Sequence, residues 1–337
     1  MSEPNEKLVP TQKAKNWNDL SDNLKEMVVD QMDIVTRFRL KLCSKSDKCL
    51  VEKVPFECDS IDARFGFSGP ARHMVFQELR ISSVLINWDK STKTISIKNH
   101  ENNNEKLIKL ASEEEGPEMI RCMFHAFMMP QNVRIGCFST DLEANYLFPT
   151  PAIKLRAKCL DLDFFYEDSS WLDVLAETPE ELTVRAGWED IGEHPVVQNV
   201  KCLEVSEHSD IENEHLMSFK ATNLRLEDSN VREWGINEYI KKLITDEKEY
   251  PVGSKMNFAD TGGWIWDELI HGLDYEHVEA PDEQDSDADS DDGGGGPEFD
   301  GARVQMSPEK DIIVALRAYY ESSDVTLYIV KKDDFPY

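Results

Sequence analysis

The sequence predicts an α/β protein with three short N-terminal helices, a repeating strand–helix array and a closing C-terminal β-hairpin. Three observations support this fold class. Apolar residues recur at helical spacing near the N-terminus, short apolar-x-apolar segments recur at nearly equal steps in the middle, and apolar residues alternate near the C-terminal end. A chain of 337 residues can hold one large domain or two ordinary ones.

The helical region begins near Trp17 and ends near Pro55. Ser21 and Asp22 are typical of a helix start, because a capping side chain and an acid both stabilise the positive end of a helix. Apolar residues spaced by four then predict a first helix with one apolar face. A second apolar stripe predicts a second helix, and a short third helix would be capped by Ser46. The first face is Leu24, Val28 and Met32, the second stripe is Val35, Phe38 and Leu42, and the third helix carries Cys49 and Leu50. So small a region cannot bury all of this apolar surface by itself.

Residues 16–55 resemble an F-box. The resemblance rests on Leu20-Ser21, Leu24, Val28-Val29, Met32, Arg39-Leu40 and Leu42-Cys43-Ser44-Lys45, with Ser21 where the family has a proline. It implies docking to a Skp-family adaptor and, through that adaptor, to a cullin ubiquitin ligase. The adaptor-binding residues that it implies are Leu20, Leu24, Val28, Met32, Leu40 and Leu42. A helical cap on the following domain is the alternative interpretation.

A short apolar-x-apolar strand is predicted four times, at steps of 22, 21 and 21 residues. The four strands are 160–162, 182–184, 203–205 and 224–226, with outlying members at 133–135 and 256–258 and helical or turn segments at 171–181 and 236–244. A strand plus a short helix of this length is typical of a leucine-rich-repeat-like solenoid. The repeat is degenerate, because the usual Asn or Cys ladder position is irregular. Chance recurrence of common Leu-x-Leu pairs is the alternative.

The polar residues of these strands form a candidate binding surface. In each strand the residue between the apolar pair, and the one two further on, would point away from the core. Parallel stacking would place them in a mixed-charge ladder on the face that solenoids use for binding. The predicted target-binding residues are Asp161, Asp163, Arg185, Glu204, Arg225 and Glu227, with Thr183 and Ser206 in the same rows. A merely solvated or covered sheet face is the alternative.

The remaining chain completes the predicted domain organisation. Residues 1–15 are predicted to be disordered, 56–278 to form the repeat-like domain, 279–307 an acidic disordered loop, and 308–337 a hairpin that packs on the repeat domain. The acidic prediction rests on ten acids and no base in residues 279–300. Within 56–278, a hairpin is predicted at 84–98 and helices at 104–115 and 117–129. This order resembles the F-box-associated regions, including the FTH type, of nematode F-box families.

Composition argues against several classes of partner and compartment. A formal net charge of −29 would repel nucleic acids and anionic membrane surfaces. No apolar run approaches the length of a membrane span, and the first residues, MSEPNEKL, lack the apolar core of a signal peptide. The seven scattered cysteines indicate free thiols in a reducing compartment. We therefore predict a cytoplasmic or nuclear protein that binds neither nucleic acid nor membrane.

No catalytic, metal or cofactor motif is found in the sequence. Residues 285–289 imitate the start of a calcium loop, but the required glycine and the closing glutamate are missing. With the resemblance, this predicts a non-enzymatic, substrate-recruiting subunit of an SCF-type ligase with an unknown protein target. The alternative is a repeat-based binding or scaffold protein without ligase function.

Overall fold

The computed structural model describes residues 16–68, 73–128, 133–148, 154–163, 170–185, 190–206, 209–246, 249–260, 263–278, 298–318 and 322–332. The predicted disorder at 1–15 and most of the acidic segment lie outside these ranges. The chain divides into a helical unit, residues 1–57 with 130–133, and a sheet unit that holds the remainder.

The helical unit contains a 3₁₀ turn and three α-helices. They are Trp17–Asp19, α1 (Asp22–Asp30), α2 (Ile34–Lys41) and α3 (Lys45–Lys53). The predicted start of α1 after Ser21 is confirmed, although the Ser21 side chain makes no capping hydrogen bond. The prediction that Ser46 caps the third helix is wrong. Ser44 caps it, accepting a hydrogen bond at 3.0 Å from the backbone N–H of Asp47, three residues on, as the N-cap geometry requires.

A small core and one buried arginine hold this unit together. Val29, Val51 and Val54 are buried, and the core side chains that pack against them are Trp17, Met32, Leu40 and Leu50. The Arg37 guanidinium is also buried and donates to four backbone carbonyls. Their oxygens belong to Asp30 (3.1 Å), Met32 (3.2 Å), Val54 (3.2 Å) and Pro55 (3.0 Å). Arg37 therefore ties the end of α1 to the segment that follows α3.

The sheet unit is built on one mixed sheet, flanked by helices. Its strands are β1 (Phe56–Ser68), β2 (His73–Ile81), β3 (Val84–Asp89), β4 (Thr94–Asn99), β5 (Asn104–Lys109), β6 (Val133–Thr140), β7 (Ala157–Leu162), β8 (Glu181–Val184), β9 (Cys202–Val205), β10 (Asn223–Glu227), β11 (Lys255–Asp260), β12 (Tyr275–His277), β13 (Glu298–Gln305), β14 (Lys310–Ala318) and β15 (Ser323–Lys331). Among the described residues they are ordered β12-β13-β14-β15-β11-β10-β9-β8-β7-β6-β1-β2-β3-β4-β5. The coarse α/β prediction is thus confirmed.

Six consecutive parallel strands, β6 to β11, form the centre of this sheet. They include the four strands predicted from the repeat and the outlying strand at 256–258. The outlying strand at 133–135 is also present, at the start of β6, but its register with the repeat differs from the expectation: Leu160 pairs with Phe138, which lies 22 residues earlier, and not with Val133. The step of 22 residues from 138–140 to 160–162 was not recognised in the sequence, because Thr140 occupies a position where an apolar residue was expected. Thr140 is buried and donates its hydroxyl to the carbonyl of Ala63 at 2.8 Å.

The apolar face of the parallel strands is covered by helices. The helices of this unit are α4 (Glu115–Met128), α5 (Ala144–Leu147), α6 (Ser170–Asp173), α7 (Pro195–Asn199), α8 (Asn213–Leu216), α9 (Glu233–Thr245) and α10 (Trp266–Leu269). Phe138 of β6 packs on Trp171 of α6 with ring centroids 5.3 Å apart, and Phe258 of β11 packs on Tyr239 of α9 at 6.4 Å. The predicted helix at 236–244 lies inside α9, whereas the segment 171–181 is helical only to Asp173.

Two predictions along this unit need correction. Residues 104–115 were expected to be helical, but β5 occupies 104–109 and pairs with β4. The asparagines before β5 make a turn in which Asn103 has a φ of +53°. The Asn102 side-chain oxygen accepts a hydrogen bond from the backbone N–H of Asn104, which favours this turn. The acidic segment was expected to be disordered to residue 307, but residues 298–305 are strand β13, paired with β12 and β14.

The other predicted hairpins are present. The hairpin at 84–98 consists of β3 and β4, joined by a turn in which the Asp89 carboxylate accepts the backbone N–H of Ser91. The C-terminal hairpin is β14 and β15, and β15 pairs antiparallel with β11 at the end of the parallel array.

Candidate functional site

The helical unit exposes a group of large apolar side chains on α1. Leu24 is 49% exposed, Met27 65% and Val28 41%, and their spacing of three and four residues puts them side by side on the helix. We refer to Leu24, Met27 and Val28 as the α1 patch. Contiguous exposed apolar side chains of this size are typical of a protein-binding surface.

The remaining residues that the resemblance implied are placed differently. Leu42 is 74% exposed, just beyond α2, and Leu20 is half-buried. Met32 and Leu40 pack against the core of the unit. Of the six implied adaptor-binding residues, the structure thus exposes three: Leu24, Val28 and Leu42. Met27 was missed in the sequence, although its position three residues after Leu24 was a usable signal.

The parallel strands of the sheet unit have an apolar face and, on the opposite side, a face that carries polar residues in register. We call this polar side the outer face. The first row is Cys137, Cys159, Glu181, Cys202, Asn223 and Lys255, and the second is Ser139, Asp161, Thr183, Glu204, Arg225 and Asn257. Two residues further along the strands lie Asp163, Arg185, Ser206 and Glu227. The structure therefore brings the sequence-predicted target-binding residues together on one face.

Ion pairs within the outer face balance most of its basic groups. The Arg185 guanidinium lies 3.5 Å from the Asp161 carboxylate. Arg225 donates to Glu227 at 2.8 Å through Nε and lies 3.9 Å from the Glu204 carboxylate. Arg185 and Arg225 are both exposed, so these pairs contribute little to folding stability. They place charges of both signs side by side at the surface.

A shallow depression of about 360 Å³ lies on the outer face over β8 to β11. Its walls come from both rows, and its lining residues are Glu181, Leu182, Thr183, Cys202, Leu203, Glu204, Asn223, Leu224, Arg225, Lys255 and Asn257. Acids, bases and amides alternate across it.

Arg64 is a contributor to this face that sequence reasoning missed. It projects from β1 and donates to Ser139 Oγ at 2.8 Å and to Asp62 Oδ1 at 2.5 Å. Its other guanidinium nitrogen lies 3.6 Å from Asp163 Oδ2. No local pattern could have revealed it, since Arg64 and Ser139 are 75 residues apart in the sequence.

Asp141, immediately after β6, has an altered acidity. Burial raises the pKa of Asp141 to about 6, although the hydrogen bond from the Phe65 backbone N–H (2.8 Å) and the charge of Arg64 both act to lower it. An unfolded chain would titrate this group near its ordinary value of about 3.9. The folded protein therefore binds more protons between these two values and loses stability as the pH rises through that window.

Asp141→Asn is expected to reduce this loss of stability, because the amide keeps the oxygen that accepts from Phe65 but cannot ionise. Urea unfolding of both chains at about pH 4.5 and about pH 7 would measure the difference. Glu204→Gln, an acid-to-amide change further along the outer face, is the control for the loss of one negative charge. An equal pH dependence in the Asp141→Asn and wild-type chains would contradict the assignment.

Neither a cluster of metal ligands nor a membrane-spanning helix occurs in the described ranges. Within the described ranges, no three His, Cys, Asp or Glu side chains converge closely enough to hold a metal ion. Of the helices in the described part of the chain, none has both the length and the apolar character needed to cross a membrane.

Comparison with known proteins identifies one region of the chain. Residues 17–59 match the family model of the F-box domain. Neither a curated protein nor a solved structure matches the chain. F-box domains generally bind a Skp-family adaptor within SCF complexes, and proteins that carry them are generally adaptors and not enzymes. The helices α1 to α3, with the turn before them and the first residues of β1, thus constitute an F-box domain.

Proposed function

We propose that this protein is a substrate-recruiting subunit of an SCF-type cullin ubiquitin ligase. The observation that carries the proposal is the F-box match at residues 17–59 together with the exposed α1 patch. Leu24, Met27 and Val28 leave apolar area in water that a Skp-family adaptor would cover. At about 25 cal/mol per Å² of apolar area removed from water, such side chains are able to anchor an interface.

The protein target would bind on the outer face of the parallel array. Support for this comes from the in-register rows of polar residues, the depression of about 360 Å³ among them, and the charges of both signs held by the Arg185 and Arg225 ion pairs. We describe the array as leucine-rich-repeat-like, since strand and helix alternate at steps of 22, 21 and 21 residues over β7 to β10. This pattern of charges would select a partner by complementarity more than by raw affinity.

The mechanism that follows is proximity. The F-box would connect this chain to the ligase, and the outer face would hold the target. Ubiquitin would be transferred by the other subunits, so the contribution of this chain is a raised effective concentration of the target near the ligase.

Reconstitution tests the proposal directly. The full chain, immobilised, is incubated with a purified cullin in the presence and in the absence of a Skp-family adaptor. We expect the cullin to be retained only when the adaptor is present. If the adaptor does not bind the chain, the proposal fails, and a scaffold role without ligase function becomes the better interpretation.

Reversal of charge on the outer face is expected to remove the target while the adaptor stays bound. Arg185→Glu and Arg225→Glu, made together, would place like charges beside Asp161, Glu204 and Glu227 and repel an acidic partner segment. Capture from cell extract with ligase turnover blocked, read by mass spectrometry, compares the partners retained by variant and wild type.

The matched control is Lys106→Glu with Lys109→Glu, which changes the net charge equally on the exposed strand β5. An unchanged set of captured proteins in the outer-face variant, with the adaptor still bound, would place target recognition elsewhere in the chain.

A further inference from the structure

Two cysteine thiols face each other at one end of the outer face. Cys137 on β6 and Cys159 on β7 are register partners on neighbouring parallel strands. Their sulfur atoms are 3.4 Å apart and hydrogen-bonded to each other. Both side chains are partly exposed, so a small reagent in solution can reach them.

The backbone geometry at this pair allows a disulfide. Neighbouring strands lie about 4.8 Å apart, within the range of about 4.4–6.8 Å that disulfides span between Cα atoms. The sulfurs need to approach by about 1.4 Å, from 3.4 Å to the bonding distance of about 2.0 Å.

One thiol of the pair has a lowered pKa, which favours the nucleophilic thiolate form. The hydrogen bond with Cys159 lowers the pKa of Cys137 to about 7, against burial and the nearby carboxylates of Asp161 and Glu181, which raise it. The same hydrogen bond raises the pKa of Cys159 above its ordinary value. Near neutral pH the pair thus keeps one proton between its two sulfurs, and the thiolate that this hydrogen bond stabilises is assigned to Cys137.

We propose that Cys137 and Cys159 are a redox-active dithiol that a hydroperoxide converts reversibly into a disulfide. The Cys137 thiolate attacks a peroxide oxygen, the O–O bond breaks, and Cys137 becomes a sulfenic acid while an alcohol or water leaves. The Cys159 sulfur then attacks the Cys137 sulfur, the S–O bond breaks, and the displaced oxygen leaves as water with the thiol proton. The two thiols supply the two electrons that reduce the peroxide, and a dithiol reductant regenerates them by exchange.

The other cysteines of the described chain lack this arrangement. Cys202 lies in the same row, but Glu181 separates it from Cys159, so it is two strand spacings away. Cys58 is buried, with its thiol against the Ser60 carbonyl and the Ser82 hydroxyl, and burial raises its pKa. Cys202 therefore provides a matched internal control. The proposal concerns this pair alone and does not depend on the ligase function.

The experiment treats the full chain with hydrogen peroxide at a small molar excess, blocks the remaining thiols, and analyses a non-reducing tryptic digest by mass spectrometry. Trypsin would release Cys137 in peptide 135–154 and Cys159 in peptide 159–185, while Cys202 falls in peptide 202–220. We expect peptides 135–154 and 159–185 to appear joined, lighter by two hydrogens than their sum, and to separate after treatment with thioredoxin.

Variants distinguish the proposed pair from general oxidation. Cys159→Ser should trap the sulfenic acid at Cys137, where dimedone labels it severalfold more than any other cysteine. Cys137→Ser should abolish both the joined peptides and this label, and Cys202→Ser should behave as wild type. The proposal is overturned if the joined peptides are absent, or if dimedone labels the exposed Cys43, Cys49 and Cys122 as strongly as Cys137 in the Cys159→Ser chain.

Discussion

Leu24→Asp or Val28→Asp is expected to abolish binding of a Skp-family adaptor while the chain stays folded. Both side chains are large and apolar, and they are 49% and 41% exposed in the free chain. An aspartate at either position remains solvated until the adaptor docks, when its charge would be buried without a partner. That costs several kcal/mol, and a loss of about 3 kcal/mol already weakens affinity by more than about 100-fold.

Titration of the immobilised adaptor with each variant gives the affinity, and far-ultraviolet circular dichroism checks the fold. Leu107→Asp is the matched control, because Leu107 is 65% exposed on β5, outside the F-box domain. We expect it to bind as the wild type does. If both aspartate variants also bind within about threefold of the wild type, the α1 patch is not the adaptor site.

Arg37→Met is expected to unfold the helical unit. The methionine keeps much of the side-chain volume but leaves the carbonyls of Asp30, Met32, Val54 and Pro55 without their donor. The contact to the Val54 oxygen is buried, so its loss costs about 1–3 kcal/mol, whereas the three partly buried acceptors regain some hydration and cost less each. The sum is a large fraction of the stability of a small domain, whose core here has three buried valines.

Hydrogen exchange read by mass spectrometry locates the effect. Amides of α1 to α3 should lose protection in Arg37→Met, and amides of β6 to β11 should keep it, because those strands have a separate core. Arg39→Met is the control, since Arg39 lies on the same helix and is exposed. Unchanged protection of α1 to α3 would mean that the four carbonyls find other donors or water.

The parts of the fold that sequence predicted best are those fixed by local patterns. The alternation of Leu160 and Leu162, repeated at nearly equal steps, predicted both the strands and their outward residues, because equal steps bring equivalent residues into register. The failures have long-range causes. β5 is a strand because β4 supplies its hydrogen bonds, and its own exposed side chains carry no period of two.

The residues of the candidate site also divide into those that local patterns predicted and those that depend on contacts distant in the sequence. Asp161, Glu204 and Arg225 could be predicted because each sits at the same place in its own repeat. Arg64 and Thr140 could not, since Arg64 reaches the outer face from an antiparallel strand and Thr140 is kept in the apolar layer by the Ala63 carbonyl. The α1 patch was only partly predicted, because sequence periodicity does not say which apolar residues of a small helical domain remain exposed.

The in-register outer face sets a length scale for whatever binds there. Its rows advance by one strand at a time, about 4.8 Å, while one turn of an α-helix advances about 5.4 Å. A target helix laid across β7 to β10 would therefore meet about one strand per turn and drift by only about 2 Å over the whole crossing. Side chains at every third or fourth position of such a helix would face Asp161, Thr183, Glu204 and Arg225 in turn. Binding would therefore depend on the order of charges in successive turns of the target helix.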